Sequence, residues 1–190
     1  MFLYILISLI PAYVANAIPV LLGGGKPLDF GITLPDGKRF LGKNKTIRGF
    51  LAGVSAGTLI GEFMYIFSVL GKNSGLGGDL SVTHLFRLFL SPVNYVLLGF
   101  LMGLGAMIGD SFGSFIKRRL GYKSGDEVAI LDQITFVLFA LLFSLPILLN
   151  PYSPIKLTLR YVIYLLVITW VLHKTFNLLA NKIGWKTVPW

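Results

Sequence analysis

Ile108-Gly-Asp-Ser-Phe-Gly-Ser-Phe-Ile-Lys-Arg-Arg-Leu-Gly-Tyr-Lys-Ser-Gly-Asp-Glu-Val-Ala-Ile-Leu-Asp-Gln-Ile-Thr135 closes one apolar segment on a carboxylate and opens the next with another. A short basic loop containing glycines joins the two segments. So short a connection makes them antiparallel neighbouring helices, with Asp110 and Asp132 at similar depth and facing each other. At about 100° per residue, Ser114 lies roughly 40° from Asp110, Lys117 roughly −20° and Arg118 roughly 80°, while Arg119 falls on the opposite side. An acid, a hydroxyl and two cations therefore share one helix face. Acids inside apolar helices are costly and point to function; the structural alternative for Asp110 is a salt bridge to a loop lysine. Two carboxylates at matched depth beside cations suit a magnesium ion, which takes few protein carboxylates and completes its shell with phosphate oxygens.

The whole chain has the composition of a membrane protein. Of its 190 residues, 55% are hydrophobic and only 13% charged, too little polar surface for a soluble domain of this size. With no cysteine, disulfides and thiolate metal sites are excluded. A bilayer crossing takes roughly 20 apolar residues, and about five segments qualify: Met1–Leu22, Thr46–Leu70, Pro92–Ile116, Ala129–Leu149 and Leu157–Ala180. Met1–Leu22 lacks a basic leader and a small-residue cleavage site, so it reads as a retained helix. The expectation is an all-α integral membrane protein, one catalytic domain over residues 1–190.

The net charge of +9 is unevenly distributed. Lys26, Lys38, Arg39, Lys43, Lys45 and Arg48 lie in or beside the first loop, Lys117, Arg118, Arg119 and Lys123 in the third, and Lys174, Lys182 and Lys186 at the C-terminal end. The positive-inside rule makes these cytoplasmic and the N-terminus external. Cations tied to membrane ends in this way argue against a nucleic-acid partner. The second loop, Gly71 to Ser91, reads as an outer connection with a short interfacial helix over Val82–Leu90, anchored by His84 and Arg87. Glycine ridges, Gly49, Gly53, Gly57 and Gly61 and then Gly99, Gly103, Gly105, Gly109 and Gly113, predict close helix packing in lipid.

The first loop holds a second cluster. Gly37-Lys-Arg-Phe-Leu-Gly-Lys43 has P-loop spacing, but Asn44 replaces the Ser or Thr and no strand precedes it, so that fold is rejected. Lys43, Asn44, Lys45 and Thr46 nevertheless stand at a helix start, where free N–H groups and the helix dipole attract anions, and Arg48 adds a guanidinium fork. The alternative is ordinary positive-inside charge. Ser124-Gly-Asp-Glu127 matches a capping box for the following helix; Asp126 is also a candidate for nucleotide binding. Asn16 and Pro19, near the inner end of the first helix, are candidates for lining the site, or mark a kinked backbone.

Asn16-x-x-Pro19, Leu41-Gly-Lys-Asn-Lys-Thr-x-Arg-Gly49, Gly109-Asp-x-x-Gly-Ser-Phe-x-Lys-Arg118 and Gly125-Asp-x-x-x-x-Leu-Asp-Gln133 together resemble the archaeal CDP-archaeol synthase family, relatives of the phosphatidate cytidylyltransferases. The resemblance covers essentially the whole chain. It implies a cell-membrane enzyme with a cytoplasmic site that joins CTP to the polyprenyl glycerol phosphate lipid 2,3-di-geranylgeranyl-glycerol 1-phosphate, releasing pyrophosphate. It implies Asp110 and Asp132 as magnesium ligands, with Lys117 also catalytic. Lys43, Asn44, Thr46, Arg48, Ser114, Arg118 and Asp126 would attend the nucleotide and phosphates, and Asn16 and Pro19 the lipid side. In related enzymes the last motif usually reads Leu-Asp-Arg, so Gln133 removes any arginine role there. The rival readings are a small transporter, with Asp110, Glu62 and Asn16 on a polar path, and a nucleotide-dependent lipid kinase. The oligomeric state is left open, a homodimer among the options.

Overall fold

A computed structural model of the chain describes residues 2–73, 91–126, 128–150 and 157–184. It is all-helical: α1 (Phe2–Ser8), α2 (Ile10–Leu22), α3 (Ile47–Asn73), α4 (Pro92–Arg119), α5 (Ala129–Leu148) and α6 (Leu159–Lys182). The expected Val82–Leu90 helix with His84 and Arg87, and Glu127 of the expected capping box, lie outside the described residues.

The first apolar segment is two helices, not one. Pro11 has no N–H to give the carbonyl of Ile7, so the ladder breaks at Leu9, and the Ser8 hydroxyl donates to the Ile5 carbonyl instead. Among the described residues four stretches are long and apolar enough to cross a bilayer: Leu3–Leu22, Ile47–Leu70, Pro92–Arg119 and Leu131–Leu148. The shorter apolar part of α6 covers Leu159–Leu172, because Lys174 and Lys182 make its later turns polar. Leu51, Leu59, Leu142 and Val167 are exposed on the outside of the bundle, as suits a surface whose solvent is lipid.

α4 is the central helix, packed on α2, α3 and α5. Both glycine ridges do what their spacing predicts. A Cβ on Gly57 would sit 2.8 Å from Gly103 Cα, and one on Gly61 would sit 2.3 Å from the Tyr95 carbonyl oxygen. On the other side of α4, a Cβ on Gly105 would lie 2.4 Å from the Phe139 carbonyl oxygen, one on Gly109 2.4 Å from that of Thr135, and one on Gly113 2.9 Å from that of Leu131. Backbones thus meet directly along two seams of one helix. Gly53 serves the third contact. Pro19 cannot donate to the Ala15 carbonyl, and a Cβ on Gly53 would stand 2.8 Å from that oxygen. Leu98, Met102, Ala106, Phe136, Val137 and Ala140 fill the core between the seams.

Candidate active site

The first loop is a folded platform built on one carboxylate. Asp29 is 3% exposed. Its Oδ1 accepts from the Gly31 N–H at 3.0 Å and the Arg39 guanidinium at 2.6 Å, and its Oδ2 accepts from the Leu41 and Gly42 N–H groups at 3.0 and 3.1 Å. Burial pushes the Asp29 carboxyl up, but Arg39 and the three N–H groups outweigh it and hold the pKa at about 2. Its folded pKa therefore lies below its unfolded value. The stabilisation is complete above about pH 4 and is lost as the pH falls toward 2. Amide exchange at Leu41 and Gly42 is expected to lose protection across that window. Asp29→Asn should be less protected throughout and lack the acid step; wild-type behaviour in the variant would exclude the carboxylate as the organiser.

The platform is clamped to the end of α4 by Arg119. Its guanidinium reaches Asp36 Oδ2 and the Arg39 carbonyl, each at 2.5 Å, and the Lys38 ammonium donates to the Arg119 carbonyl at 2.9 Å. The first and third loops are thereby brought together on one side of the bundle, and the helix face opposite Asp110 acquires the work of joining them.

Thr46 sets the start of α3. Its hydroxyl accepts from the Gly49 N–H at 3.1 Å, an N-cap, and from the Gly24 N–H at 3.2 Å. The Ile47 N–H goes to the Lys26 carbonyl at 3.0 Å and that of Phe50 to the Thr46 carbonyl. The free N–H groups expected at this helix start are therefore mostly occupied, because the loop folds back onto them. Lys43, Asn44 and Arg48 are exposed. Asn44 borders a small pocket whose other walls include Lys45, Thr46, Gly49, Pro19, Asp110 and Ser111. Asn16 is half-buried on α2.

The two acids of the hairpin each carry a lysine. Lys45 Nζ lies 2.5 Å from Asp110 Oδ2, with the side chains 29% and 21% exposed. Lys117 Nζ lies 2.5 Å from Asp132 Oδ1, with 10% and 25% exposed. Lys117 also donates to the Asp126 carbonyl at 3.1 Å, and Asp132 Oδ2 accepts from the Val128 N–H at 3.0 Å. The α4–α5 seam puts Gly109 level with Thr135 and Gly113 with Leu131. In that register Asp110 and Asp132 differ in depth by about two residues, or about 3 Å. They share a depth, as the hairpin predicts, but meet different partners: Asp110 faces the pocket by α2 and α3, and Asp132 turns to Lys117 and its own helix start.

That last contact replaces the expected capping box. The N-cap of α5 is Val128, whose N–H is taken by Asp132, one turn on. Asp126 instead closes the loop, its Oδ2 accepting from the Lys123 N–H at 2.6 Å. Ser114 and Arg118 are buried on the same helix as Asp110. Arg118 is 8% exposed, its Nε has no hydrogen bond, and among the described residues its guanidinium has no partner. A Cβ on Gly42 would be 3.9 Å from that Nε and 3.4 Å from Ser124 Oγ, so Arg118 sits where the two basic loops converge. Gln133 is buried, with an unpartnered Oε1.

Carboxylates are the donors magnesium takes, and Asp110 and Asp132 are two, each paired with a lysine in this structure, the arrangement the sequence offers as the alternative for Asp110. Asp110 and Asp132 are partly exposed carboxylates at one depth, and among the described residues no three His, Cys, Asp or Glu side chains converge on a metal cage. An ion held here takes the rest of its shell from phosphate or water, which is magnesium's habit. Asp29 is not singled out in the sequence, and Lys45 is one of several cations in the first loop. For Asp29 a signal exists, since Asp29-Phe-Gly31 is an Asx-turn pattern; nothing local ties Lys45 to Asp110.

Residues 1–190 match the family model described as CarS-like: CDP-archaeol synthase. The chain is similar to the CDP-archaeol synthase of Thermococcus gammatolerans, 41% identical over 188 residues, covering 96% of this chain and 92% of the relative. It is also similar to that of Archaeoglobus fulgidus, 43% identical over 185 residues, covering 96% and 94%. A solved structure of an intramembrane enzyme for archaeal membrane lipid biosynthesis superposes with a TM-score of 0.70 at 34% identity, covering 91% of this chain and 92% of that one.

Proposed function

The chain belongs to the CDP-archaeol synthase family, and from that membership we infer that it is a multi-pass membrane cytidylyltransferase joining CTP to 2,3-di-geranylgeranyl-glycerol 1-phosphate. The products are the CDP-activated lipid and pyrophosphate. The observation that carries the reading to this site is Arg118, a residue 8% exposed whose Nε has no hydrogen bond among the described residues. An anionic ligand at the junction of the two loops would give that guanidinium a partner.

The lipid phosphate is already ionised, so the step needs no strong base. A phosphate oxygen attacks the α-phosphorus of CTP in line; the new P–O bond forms as the bond to the bridging oxygen breaks, and pyrophosphate leaves. Lys117 and Arg118 hold phosphate oxygens from inside the site, with Lys43 and Arg48 meeting the triphosphate from the exposed side. Asn44 and Thr46 line the pocket beside Asp110, and Ser114 and Asp126 are assigned to the phosphates from α4 and its loop. Pro19 lines the pocket from α2, and with Asn16 on the same helix it is assigned to the side where the lipid enters from the bilayer. Asp110 and Asp132 would hold magnesium, which when bound offsets charge on the triphosphate. Catalysis is positioning plus electrostatics. The basic loops that carry the site are the ones the positive-inside rule assigns to the cytoplasm of the cell membrane, where CTP is found.

Purified protein with magnesium, the lipid phosphate and CTP labelled at the α- or γ-phosphate tests this. The α-label is expected in the lipid and the γ-label in pyrophosphate. A γ-label in the lipid would make the chain a kinase and overturn the assignment.

A further inference from the structure

Lys45 and Lys117 hold their acids in different ways. Lys117 is 10% exposed and tied twice, to Asp132 and to the Asp126 carbonyl, and Asp132 has a second bond of its own to the Val128 N–H. The Lys45 ammonium makes one polar contact among the described residues, to Asp110. It has three donors on a flexible four-carbon stem, and both partners are partly open to water. The pair also lies on the wall of the pocket shared with Asn44, Thr46 and Ser111. Of the two lysines, Lys45 is the one free to leave.

On the reading of Asp110 as a metal ligand, its departure opens the whole carboxylate to the ion. An ammonium 2.5 Å from Oδ2 competes with a divalent ion for that oxygen. Placing both cations on one carboxylate would set like charges about 4 Å apart, at a cost that rises with shielding from water. The triphosphate that arrives with the ion offers the ammonium a new anion close to its present one, since Lys45 stands between Asn44 and Thr46 at the start of α3.

We propose that Lys45 is a resident counter-ion that neutralises Asp110 in the empty enzyme and transfers to the phosphates of the nucleotide, releasing the carboxylate to the metal. The inference rests on the site reading above and adds to it a coupling: each ligand removes the obstacle to the other, so nucleotide and metal strengthen one another's binding by the same factor. The metal alone meets an Asp110 already paired, and the enzyme does not hold the ion tightly before its substrate comes.

The test is binding rather than turnover, on the full chain in detergent micelles. Manganese without nucleotide is titrated by its electron spin resonance signal, and CTP without divalent ion is titrated by calorimetry. Lys45→Gln is expected to bind manganese about five- to tenfold tighter than wild type and metal-free CTP weaker by a similar factor. Lys45→Met, which keeps the length of the stem, is the second variant and should behave alike. Lys45→Arg, which keeps the pair, should stay within about twofold on both axes. Unchanged or weaker manganese binding in folded Lys45→Gln and Lys45→Met, with binding lost in Asp110→Asn, overturns the counter-ion role and leaves the metal assignment standing. Manganese binding that survives Asp110→Asn overturns the metal assignment itself, and the proposal with it.

Discussion

Asp110→Asn is expected to lower CDP-lipid formation by about 10³-fold while the protein still folds, and Asp132→Asn to do the same. Both substitutions keep side-chain shape and remove a charge that the reading gives to magnesium, so the loss falls on the stabilisation of the triphosphate. Their structural costs differ in a way that can be checked separately. Among the described residues the Asp110 carboxylate bonds Lys45 alone, and that pair is partly exposed, so its removal costs no more than about 1 kcal/mol. Asp132 accepts on both oxygens, from Lys117 and from the Val128 N–H. An asparagine has one acceptor there and leaves one of these donors unmet, at about 1–2 kcal/mol. Thermal unfolding in detergent should therefore order the proteins wild type, Asp110→Asn, Asp132→Asn, with both variants folded at the assay temperature. Wild-type turnover in either variant would remove that acid from the catalytic set.

The largest effect on stability is expected at the α4–α5 seam. In Gly109→Ala the new methyl would lie 2.4 Å from the Thr135 carbonyl oxygen and 2.8 Å from Phe136 Cα. Both obstacles are backbone, in the middle of a helix, and cannot rotate away as a side chain would. The helices must separate, and the core cluster that holds Ala106, Phe136 and Ala140 loosens with them. A destabilisation of about 3 kcal/mol or more is expected, at the upper end for overpacking. Activity should fall further than stability alone explains, because Gly109 adjoins Asp110 and the same separation shifts it relative to Asp132. Leu59→Ala, at a position 62% exposed on the outside of α3, is the comparison and should leave the melting temperature within a few degrees. A wild-type melting temperature in Gly109→Ala would mean that the seam is looser than its backbone contacts.

Much of this fold is legible in the chain because the bilayer imposes a simple rule. Apolar runs near 20 residues become helices, and the spans expected at Thr46–Leu70, Pro92–Ile116 and Ala129–Leu149 correspond to α3, α4 and α5 within about a turn. The glycine ridges gave the packing faces for the same reason: small residues four apart leave a groove that only another backbone fills. The break at Leu9 was missed although Pro11 was visible, since a proline inside an apolar run ends a helix in some settings and is tolerated in others. The helical wheel placed Ser114, Lys117 and Arg118 beside Asp110; all three are buried on α4, but Lys117 pairs with Asp132 and Asp110 with Lys45.

The site's internal pairing is a different matter. Local spacing cannot rank Lys45 above Lys43 or Arg48, which are equally basic and within a turn of it, nor give Arg119 the task of clamping a loop eighty residues earlier. Asp126 looked like a ligand or a cap and closes its own loop; Asp132 looked like a ligand and also caps α5. Composition, periodicity and charge asymmetry determined that the chain is a helical membrane protein with a carboxylate-and-cation hairpin at one edge, because each of these is a property of single segments in their solvent. Which lysine neutralises which acid, and that Arg118 is left without a partner among the described residues, was decided only in the tertiary structure. Ion pairs form between side chains that packing brings within about 4 Å, and here that packing is set by glycine seams and by a loop folded around Asp29, far in sequence from the residues they bring together.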